Sequence, residues 1–296
     1  MTTAERQHKL AYLYAAVAVV FWSTSASAFK LTLRHLGVLS LLFFASATST
    51  VALFVYLAGT GKLKLLRTLT RRDCLFSAGL GFLNPFLYYA VLFKAYALLP
   101  AQEAQPLNFV WPLTLVLLSV PLLGQRIGVR SIFAILISFS GVVVIGTRGD
   151  VLGFRFSNPA GTALALSTTI VWSLFWIFNT KDKRDETVRL FVNFAFASAY
   201  ILLLALCLGK LEMPPLKGLA GAVYVGLFEM GITFLAWLKA LKAAKTTAHV
   251  VNLIFLVPFL SLVVIAVVLR EKILPATLIG LVLIVTGIVT QKLVES

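Results

Sequence analysis

The chain has 296 residues, of which 60% are hydrophobic and 12% are charged, and its formal net charge is +15. A soluble domain of this length cannot bury so much apolar surface, because its exterior must remain largely polar. The composition therefore predicts an integral membrane protein and excludes a soluble enzyme, a nucleic-acid-binding module and a disordered scaffold.

Ten apolar stretches follow one another along the chain, each close to the roughly 20 residues that a helix needs to cross the bilayer hydrocarbon. Nine of them contain no Asp, Glu, Lys or Arg, and the eighth is interrupted only by Glu229. Because backbone polar groups in lipid must be paired within a span, we predict ten membrane helices joined by short loops. The predicted spans 1 to 10 cover 10–29, 39–58, 74–93, 104–125, 131–147, 156–180, 190–209, 218–238, 246–269 and 273–291.

The distribution of basic residues predicts how these helices are oriented. If the N-terminus is placed in the cytoplasm, most of the 26 Lys and Arg residues also fall on the cytoplasmic side. The positive-inside rule therefore predicts that both termini are cytoplasmic, with the basic segments facing anionic lipid.

The two halves of the chain resemble each other at a near-constant offset. The repeat mates are Trp22 and Trp172, Asn84 and Glu229, Lys94 and Lys239, Pro112 and Pro258, and Gly141 and Gly287. Each half holds five spans, an odd number, so the second half enters the membrane in the opposite orientation. We therefore predict an all-α integral membrane fold of two inverted five-helix repeats, 1–147 and 159–296, joined by a loop at 148–158 and packed as one membrane domain. Inverted repeats around a midplane site are typical of secondary transporters.

Spans 5 and 10 are almost wholly apolar and are predicted at the periphery. Gly141 and Gly287 in these spans allow close helix packing, either within the chain or in a homodimer.

The paired ends of spans 4 and 9 carry a family resemblance. Pro112, Gly124-Gln125-Arg126 and Gly141 recur as Pro258, Arg270-Glu271-Lys272 and Gly287. This arrangement resembles the EamA branch of the drug/metabolite transporter superfamily, although Gln125 stands where Glu is usual and Arg270 where Gly is usual. Within that family the chain is most similar to the YddG-type exporters of aromatic amino acids and of cationic drugs such as methyl viologen. The resemblance implies a bacterial inner-membrane exporter that works by alternating access.

Polar and aromatic side chains at helical spacing mark the face of each span that avoids lipid. Such stripes occur in spans 1, 3, 4, 6, 8 and 9, whereas those of spans 2 and 7 are weaker. The candidate substrate-binding residues are Trp22, Asn84, Tyr88, Tyr89, Asn108, Trp111, Trp172, Trp176, Glu229 and Asn252.

Glu229 is the strongest single candidate, because a charged carboxylate at the bilayer centre costs about 3 kcal/mol on insertion scales. It is expected to bind a substrate ammonium or to carry a proton for coupling; the structural alternative is a protonated Glu bonded to a neighbouring helix. The tryptophans and tyrosines are expected to wall a cavity that suits aromatic side chains by stacking and organic cations by cation–π attraction. Their structural alternative is packing or lipid contact.

Two further pairs are candidates for gating. Lys94 and Lys239 are expected to act as anion contacts or gate latches, or else to extend to the headgroups. Pro112 and Pro258 are expected to act as hinges, or else as fixed kinks. Glu103, near the outer end of span 4, is expected to meet water, with a role in the transport path as the alternative.

The sequence thus predicts an exporter of small amphipathic solutes, with aromatic or hydrophobic amino acids as the expected substrates. A proton-coupled multidrug antiporter for organic cations is the alternative. A membrane-embedded enzyme is disfavoured because only Glu229, Glu103 and His249 offer catalytic chemistry, and a channel because no filter loop or ring of charges occurs. The chain carries no metal-ligand cluster and no phosphate-binding loop, so we expect no metal, no cofactor and no nucleic-acid partner. The expected partners are a small molecule, the lipid bilayer and a second copy of the chain.

Overall fold

In the computed structural model of the chain, residues 3–124, 128–153, 156–179, 181–243 and 253–295 are described. Within these ranges the chain is helical and contains no β-strand. Nine of the described helices are long and apolar enough to cross a membrane, and a shorter apolar helix accounts for the remaining predicted span. The predicted all-α membrane architecture is confirmed, and the chain is a multi-pass membrane protein.

The helical bounds extend most of the predicted spans at one or both ends. In chain order the ten spans are Lys9–Leu33, Val38–Gly59, Arg71–Leu98, Ala101–Leu122, Val129–Gly146, Pro159–Asn179, Glu186–Cys207, Leu216–Ala243, Leu253–Leu269 and Pro275–Leu293. The helix of span 1 begins at Thr3, and that of span 10 ends at Glu295.

Polar side chains cap the start of one span in each repeat, span 3 in the first and span 7 in the second. Before span 3, Thr70 and Asp73 form a capping box: the Asp73 N–H donates to the Thr70 hydroxyl at 3.2 Å, and the Thr70 N–H donates to the Asp73 carboxylate at 2.9 Å. Before span 7, the Asp185 carboxylate accepts from the Thr187 and Val188 N–H groups at 3.0 and 3.3 Å. These contacts pair backbone donors that the first turn of a helix otherwise leaves open.

The chain forms two compact units, and each unit draws on both halves of the sequence. The first unit comprises Met1–Phe86 and Lys183–Val264, and the second comprises Leu87–Asp182 and Ile265–Ser296. In the first unit span 1 packs against spans 8 and 9, and span 2 packs against span 7. In the second unit span 6 packs against spans 3 and 4, and span 5 packs against span 10. Since spans five apart are repeat mates, the packing of span 1 on spans 8 and 9 is equivalent to the packing of span 6 on spans 3 and 4.

Spans 5 and 10 approach closely because small residues line their contact. A Cβ on Gly141 would lie 2.4 Å from the carbonyl oxygen of Gly280, so no larger residue fits there without a shift. The glycine predicted to permit close packing therefore does so within the chain. Another face of span 5 exposes three large apolar side chains at helical spacing, Phe133, Leu136 and Phe139. Such a stripe suits contact with lipid.

Candidate functional site

Spans 3 and 8 are interrupted at equivalent places, and the interruptions carry the polar repeat mates. A π-helical turn occupies Phe82–Leu87 in span 3, and another occupies Gly226–Gly231 in span 8. Asn84 lies in the first of these turns and Glu229 in the second. Asn84 leaves the helical conformation (φ −148°, ψ 123°), and Pro85 after it has no N–H to donate, so the hydrogen-bond ladder of span 3 is broken there. Such turns recur at functional sites in helices.

Within the first unit Glu229 joins span 8 to span 1. Its side chain is 9% exposed, and one carboxylate oxygen accepts a short hydrogen bond from the Ser25 hydroxyl. Trp22 Nε1 donates to the Glu229 carbonyl oxygen at 3.4 Å. The Trp22 ring also packs against Phe234 and Trp237, with ring centroids 6.1 and 5.5 Å apart. The arrangement combines a buried acidic group with an aromatic wall.

Within the second unit an aromatic cluster surrounds Trp172. The centroid of the Trp172 ring lies 4.8 Å from that of Tyr88, 6.4 Å from that of Trp111 and 5.9 Å from that of Trp176. Tyr89 joins the cluster through Tyr88, at 4.8 Å. Spans 3, 4 and 6 thus bring all five of the aromatic candidates of this unit into one connected group. Tyr89 is fully buried in this cluster, so it packs behind the rings of the other four residues.

Asn108 supplies the polar group of this aromatic cluster. Its Nδ2 donates to the Thr168 hydroxyl at 2.7 Å, and its Oδ1 accepts from the Tyr88 hydroxyl at 3.3 Å. These two bonds hold the amide orientation and link spans 3, 4 and 6. The cluster therefore presents ring faces together with an oriented amide beside them.

The paired prolines lie at breaks in spans 4 and 9. Span 4 consists of two helices, Ala101–Asn108 and Trp111–Leu123, and Pro112 lies in the first turn of the second helix. Pro258 lies in the first turn of the helix Val257–Val264, which follows a 3-10 turn. A proline in a first turn removes no helical hydrogen bond, so each helix tolerates it. Their role as hinges stays a prediction.

The paired lysines differ in their surroundings. Lys94 is exposed, whereas Lys239 is half-buried. The Lys239 ammonium lies over two aromatic rings of the first unit, 5.5 Å from the Tyr14 centroid and 5.0 Å from the Tyr56 centroid. Cation–π attraction holds it there, and a role as a latch stays a prediction.

Ion pairs surround the end of the first unit at which Lys239 lies. Lys62 bonds the Asp185 carboxylate at 2.7 Å, and Lys242 bonds Glu186 at 2.6 Å. Partial burial raises the pKa of Asp185, but the hydrogen bonds from Lys62 and from backbone N–H groups outweigh it, and the pKa lies below its ordinary value. Asp185 is therefore an anion at neutral pH, and the pair ties span 7 to the segment after span 2.

The expectation that Glu103 meets water is wrong. Glu103 is 1% exposed; one carboxylate oxygen accepts from Arg148 Nε at 2.6 Å and the other from the Ser157 hydroxyl at 2.9 Å. Both donors come from the segment that joins the two halves of the sequence. Glu103 is thus buried and bonded to Arg148 and Ser157.

Span 7 holds two buried polar residues that the sequence analysis missed. Arg189, one residue before the predicted start of span 7, lies in the helix and is 7% exposed, and Asn193, one turn later, is 1% exposed. The signal for them was the spacing of four residues, which places both on one helical face.

Asn252 and His249 lie outside the described residues. Within the described residues, no group of three or more His, Cys, Asp or Glu side chains is placed to hold a metal ion.

Broken membrane helices that carry polar side chains are typical of secondary transporters. The model of the EamA-like transporter family matches residues 9–147 and again residues 159–290. The two matches together cover most of the chain, which therefore belongs to the EamA-like transporter family. The resemblance found in the sequence is confirmed, and the chain is a membrane transporter.

Named relatives and a solved structure match most of the chain. The aromatic amino acid exporter YddG of Ancylobacter novellus is 27% identical over 223 residues, which cover 74% of this chain and 75% of the relative. A probable terminal-alkyne amino-acid exporter of Streptantibioticus cattleyicolor is 28% identical over 277 residues, 91% of this chain and 89% of the relative. A crystal structure matches with a TM-score of 0.67 and 25% identity, covering 97% of this chain and 98% of that one.

Proposed function

We propose that this transporter exports small amphipathic solutes, aromatic or hydrophobic amino acids first among them, by alternating access. The observation that carries the proposal is the aromatic cluster around Trp172, with the oriented amide of Asn108 beside it. Ring faces offer an aromatic side chain offset or edge-to-face contacts, each worth about 0.5–1.5 kcal/mol beyond burial. The names of the two exporters at 27% and 28% identity support the same class of substrate.

Glu229 supplies the second element of the proposal. A carboxylate that is almost buried in a membrane span and bonded to Ser25 is suited to hold a substrate ammonium. A buried pair between a carboxylate and an ammonium is charge-assisted, and is therefore shorter and stronger than a neutral hydrogen bond. Aromatic amino acids carry both a ring and an ammonium group.

The cellular setting of the proposal is the bacterial inner membrane, with both termini in the cytoplasm. The excess of Lys and Arg in the segments assigned to the cytoplasm supports this orientation. Cysteines placed at Lys9 and Lys292 in a cysteine-free background should react with a membrane-impermeant thiol reagent only from the cytoplasmic side. Labelling of the two positions from opposite sides would contradict it.

The direct test is release from proteoliposomes that contain the purified chain. Proteoliposomes loaded with labelled phenylalanine, tryptophan, leucine or methyl viologen should lose the aromatic amino acids faster than protein-free vesicles loaded with the same solutes. A chain that moves none of the amino acids would contradict the proposal. Solutes should leave chemically unchanged, since we propose transport without catalysis.

The second candidate function is proton-coupled export of organic cations. Glu229 favours it, because a carboxyl group in a membrane span can carry a proton, and the aromatic cluster favours it through cation–π attraction. Release measured with and without an imposed pH gradient separates the two. Gradient-driven release of methyl viologen without release of amino acids would favour the antiporter.

A further inference from the structure

An apolar groove lies between spans 3 and 7 of the first unit. Its volume is about 520 Å³, and it is lined by Ala78, Gly79, Phe82, Phe86, Tyr200 and Leu203. Phe82 is 47% exposed and Leu203 is 61% exposed, so the groove opens on the surface of two membrane spans. Large apolar side chains exposed on that surface suit contact with lipid.

A glycine and three aromatic rings give the groove its shape. A Cβ on Gly79 would meet no atom within 4 Å, so there is open space beside this residue. The ring centroid of Phe82 lies 5.3 Å from that of Phe86 and 6.3 Å from that of Tyr200, and the Phe86 and Tyr200 centroids lie 6.1 Å apart. Open space next to a wall of rings suits a flexible hydrocarbon chain.

The polarity of the groove argues against a charged solute inside it. None of the six lining residues is charged, and the hydroxyl of Tyr200 donates to the Ala78 carbonyl oxygen at 3.3 Å. This hydrogen bond directs the hydroxyl to the backbone of span 3. A carboxylate or ammonium placed in the groove would lose its hydration without gaining a charged partner, so the groove favours hydrocarbon.

The groove continues toward the start of span 3 along one face of the helix. Arg71, Leu75, Ala78 and Phe82 follow one another at helical spacing and share that face. Leu75 is 75% exposed and extends the apolar surface between the arginine and the groove. The helix rises about 16 Å from Arg71 to Phe82, close to the roughly 15 Å of hydrocarbon in one leaflet. A lipid phosphate beside Arg71 therefore places its acyl chain along the groove.

The charge at the start of span 3 selects an anionic headgroup. Arg71 and Arg72 are exposed, and no ion pair in the described part of the chain uses either of them. The carboxylate of Asp73, the next residue, accepts from the Thr70 N–H at 2.9 Å and lies 4.0 Å from the Arg184 guanidinium. The two arginines therefore leave an excess of positive charge, and a guanidinium can bond a phosphate through two N–H groups.

We propose that the groove between spans 3 and 7 holds one acyl chain of an anionic phospholipid, whose phosphate is bound by Arg71 and Arg72. Lipid tails are as apolar as the groove, so burial alone gives the acyl chain little preference for it. The contacts between arginine and phosphate supply most of the affinity, and van der Waals packing against the rings fixes where the chain lies. This lipid site is separate from the substrate contacts of the proposed function.

The test is a lipid titration of the purified full chain in detergent, followed by native mass spectrometry. The chain should bind one dioleoyl phosphatidylglycerol about tenfold more tightly than dioleoyl phosphatidylcholine, which has the same acyl chains and a zwitterionic headgroup. Arg71→Gln combined with Arg72→Gln should weaken phosphatidylglycerol binding about 30-fold, because each basic side chain near the membrane surface contributes about fivefold. The preference for the anionic lipid should disappear with it.

A second variant tests the groove itself. Gly79→Leu places a side chain in the open space, so it should weaken the binding of both lipids about tenfold and leave the headgroup preference unchanged. Gly59→Leu is its control, because a Cβ at the end of span 2 also meets no atom within 4 Å. Lys210→Gln combined with Lys217→Gln is the control for charge, since it removes two exposed cations after span 7. Both controls should bind phosphatidylglycerol as the unmodified chain does.

Several results would overturn the site. Equal affinity of the unmodified chain for the two lipids would show that no anionic headgroup is selected. An unchanged affinity in the Arg71 and Arg72 variant, or an equal loss in the Lys210 and Lys217 control, would show that these arginines do not bind the phosphate. Unchanged binding by Gly79→Leu would place the acyl chain outside the groove. The thermal unfolding midpoint of each lipid-free variant should match that of the unmodified chain, so that a loss of binding is not a loss of fold.

Discussion

Replacing Glu229 by glutamine exchanges the carboxylate of span 8 for a neutral amide. Glutamine has the same length, and its Oε1 can still accept the hydrogen bond that the Ser25 hydroxyl gives to the carboxylate. The carbonyl oxygen of residue 229 still accepts from Trp22 Nε1. Both of these contacts therefore survive the substitution, and a change in transport reports on the exchange of the carboxylate for an amide.

The size of the effect follows from the bond that is lost. A hydrogen bond to a charged group is worth about 1.5–3 kcal/mol, which corresponds to about 10- to 100-fold in kcat/KM for a substrate bound through its ammonium. Stability should change in the opposite direction or not at all, because a charge in a membrane span costs about 3 kcal/mol on insertion scales. Glu229→Gln should thus lose transport while its thermal unfolding midpoint is kept.

The assay is initial-rate release of labelled phenylalanine from proteoliposomes, at equal amounts of reconstituted protein. The matched control is Glu186→Gln in the same unit, which exchanges a carboxylate for an amide in the ion pair with Lys242. Both side chains of that pair are partly exposed, so the pair is worth at most about 1 kcal/mol and transport should persist. Near-normal release by Glu229→Gln would refute the proposed role of its carboxylate.

Three pairs of substitutions test separate parts of the account. Trp172→Ala should raise the KM for aromatic amino acids about tenfold through lost ring contacts, with a smaller rise for Trp172→Phe; equal KM values in release assays would contradict this. Arg148→Ala should lower the thermal unfolding midpoint more than Glu103→Gln does. Arg148→Ala leaves the buried Glu103 carboxylate without its cation, at a cost of about 3 kcal/mol. Glu103→Gln leaves only the Arg148 guanidinium, which is half-exposed and can be solvated by water. The reverse order would argue against the buried pair. Gly141→Ala should lower the midpoint, whereas Gly79→Ala, whose Cβ would meet no atom within 4 Å, should not.

Those features that depend on composition and spacing were predictable from the sequence. Ten apolar stretches and the repeat offset suffice for the helical membrane fold, and polar residues inside apolar stretches identify Asn84 and Glu229. That both lie in π-helical turns was not predictable, because such a turn depends on how neighbouring spans pack. Pro85 was the signal that span 3 is interrupted.

The misjudged residues are those whose surroundings come from distant parts of the chain. Glu103 pairs with Arg148, which follows it by 45 residues, and no local sequence pattern predicts a contact over that separation. Arg189 follows a charged segment, so the predicted span 7 begins only after it, whereas the helix that Asp185 caps includes it. Asn193 stands alone among apolar neighbours, and only the contact with Gly81 shows that it is buried at a helix crossing.

Counterflow measures the central claim, alternating access to an amphipathic substrate site, most directly. Proteoliposomes loaded with unlabelled tryptophan and diluted into trace labelled tryptophan should accumulate label transiently, and the initial rate should saturate with external tryptophan. A carrier gives this result because its binding site crosses the membrane faster when it is loaded with substrate than when it is empty. Uptake that rises linearly with concentration and does not respond to internal tryptophan would contradict the account.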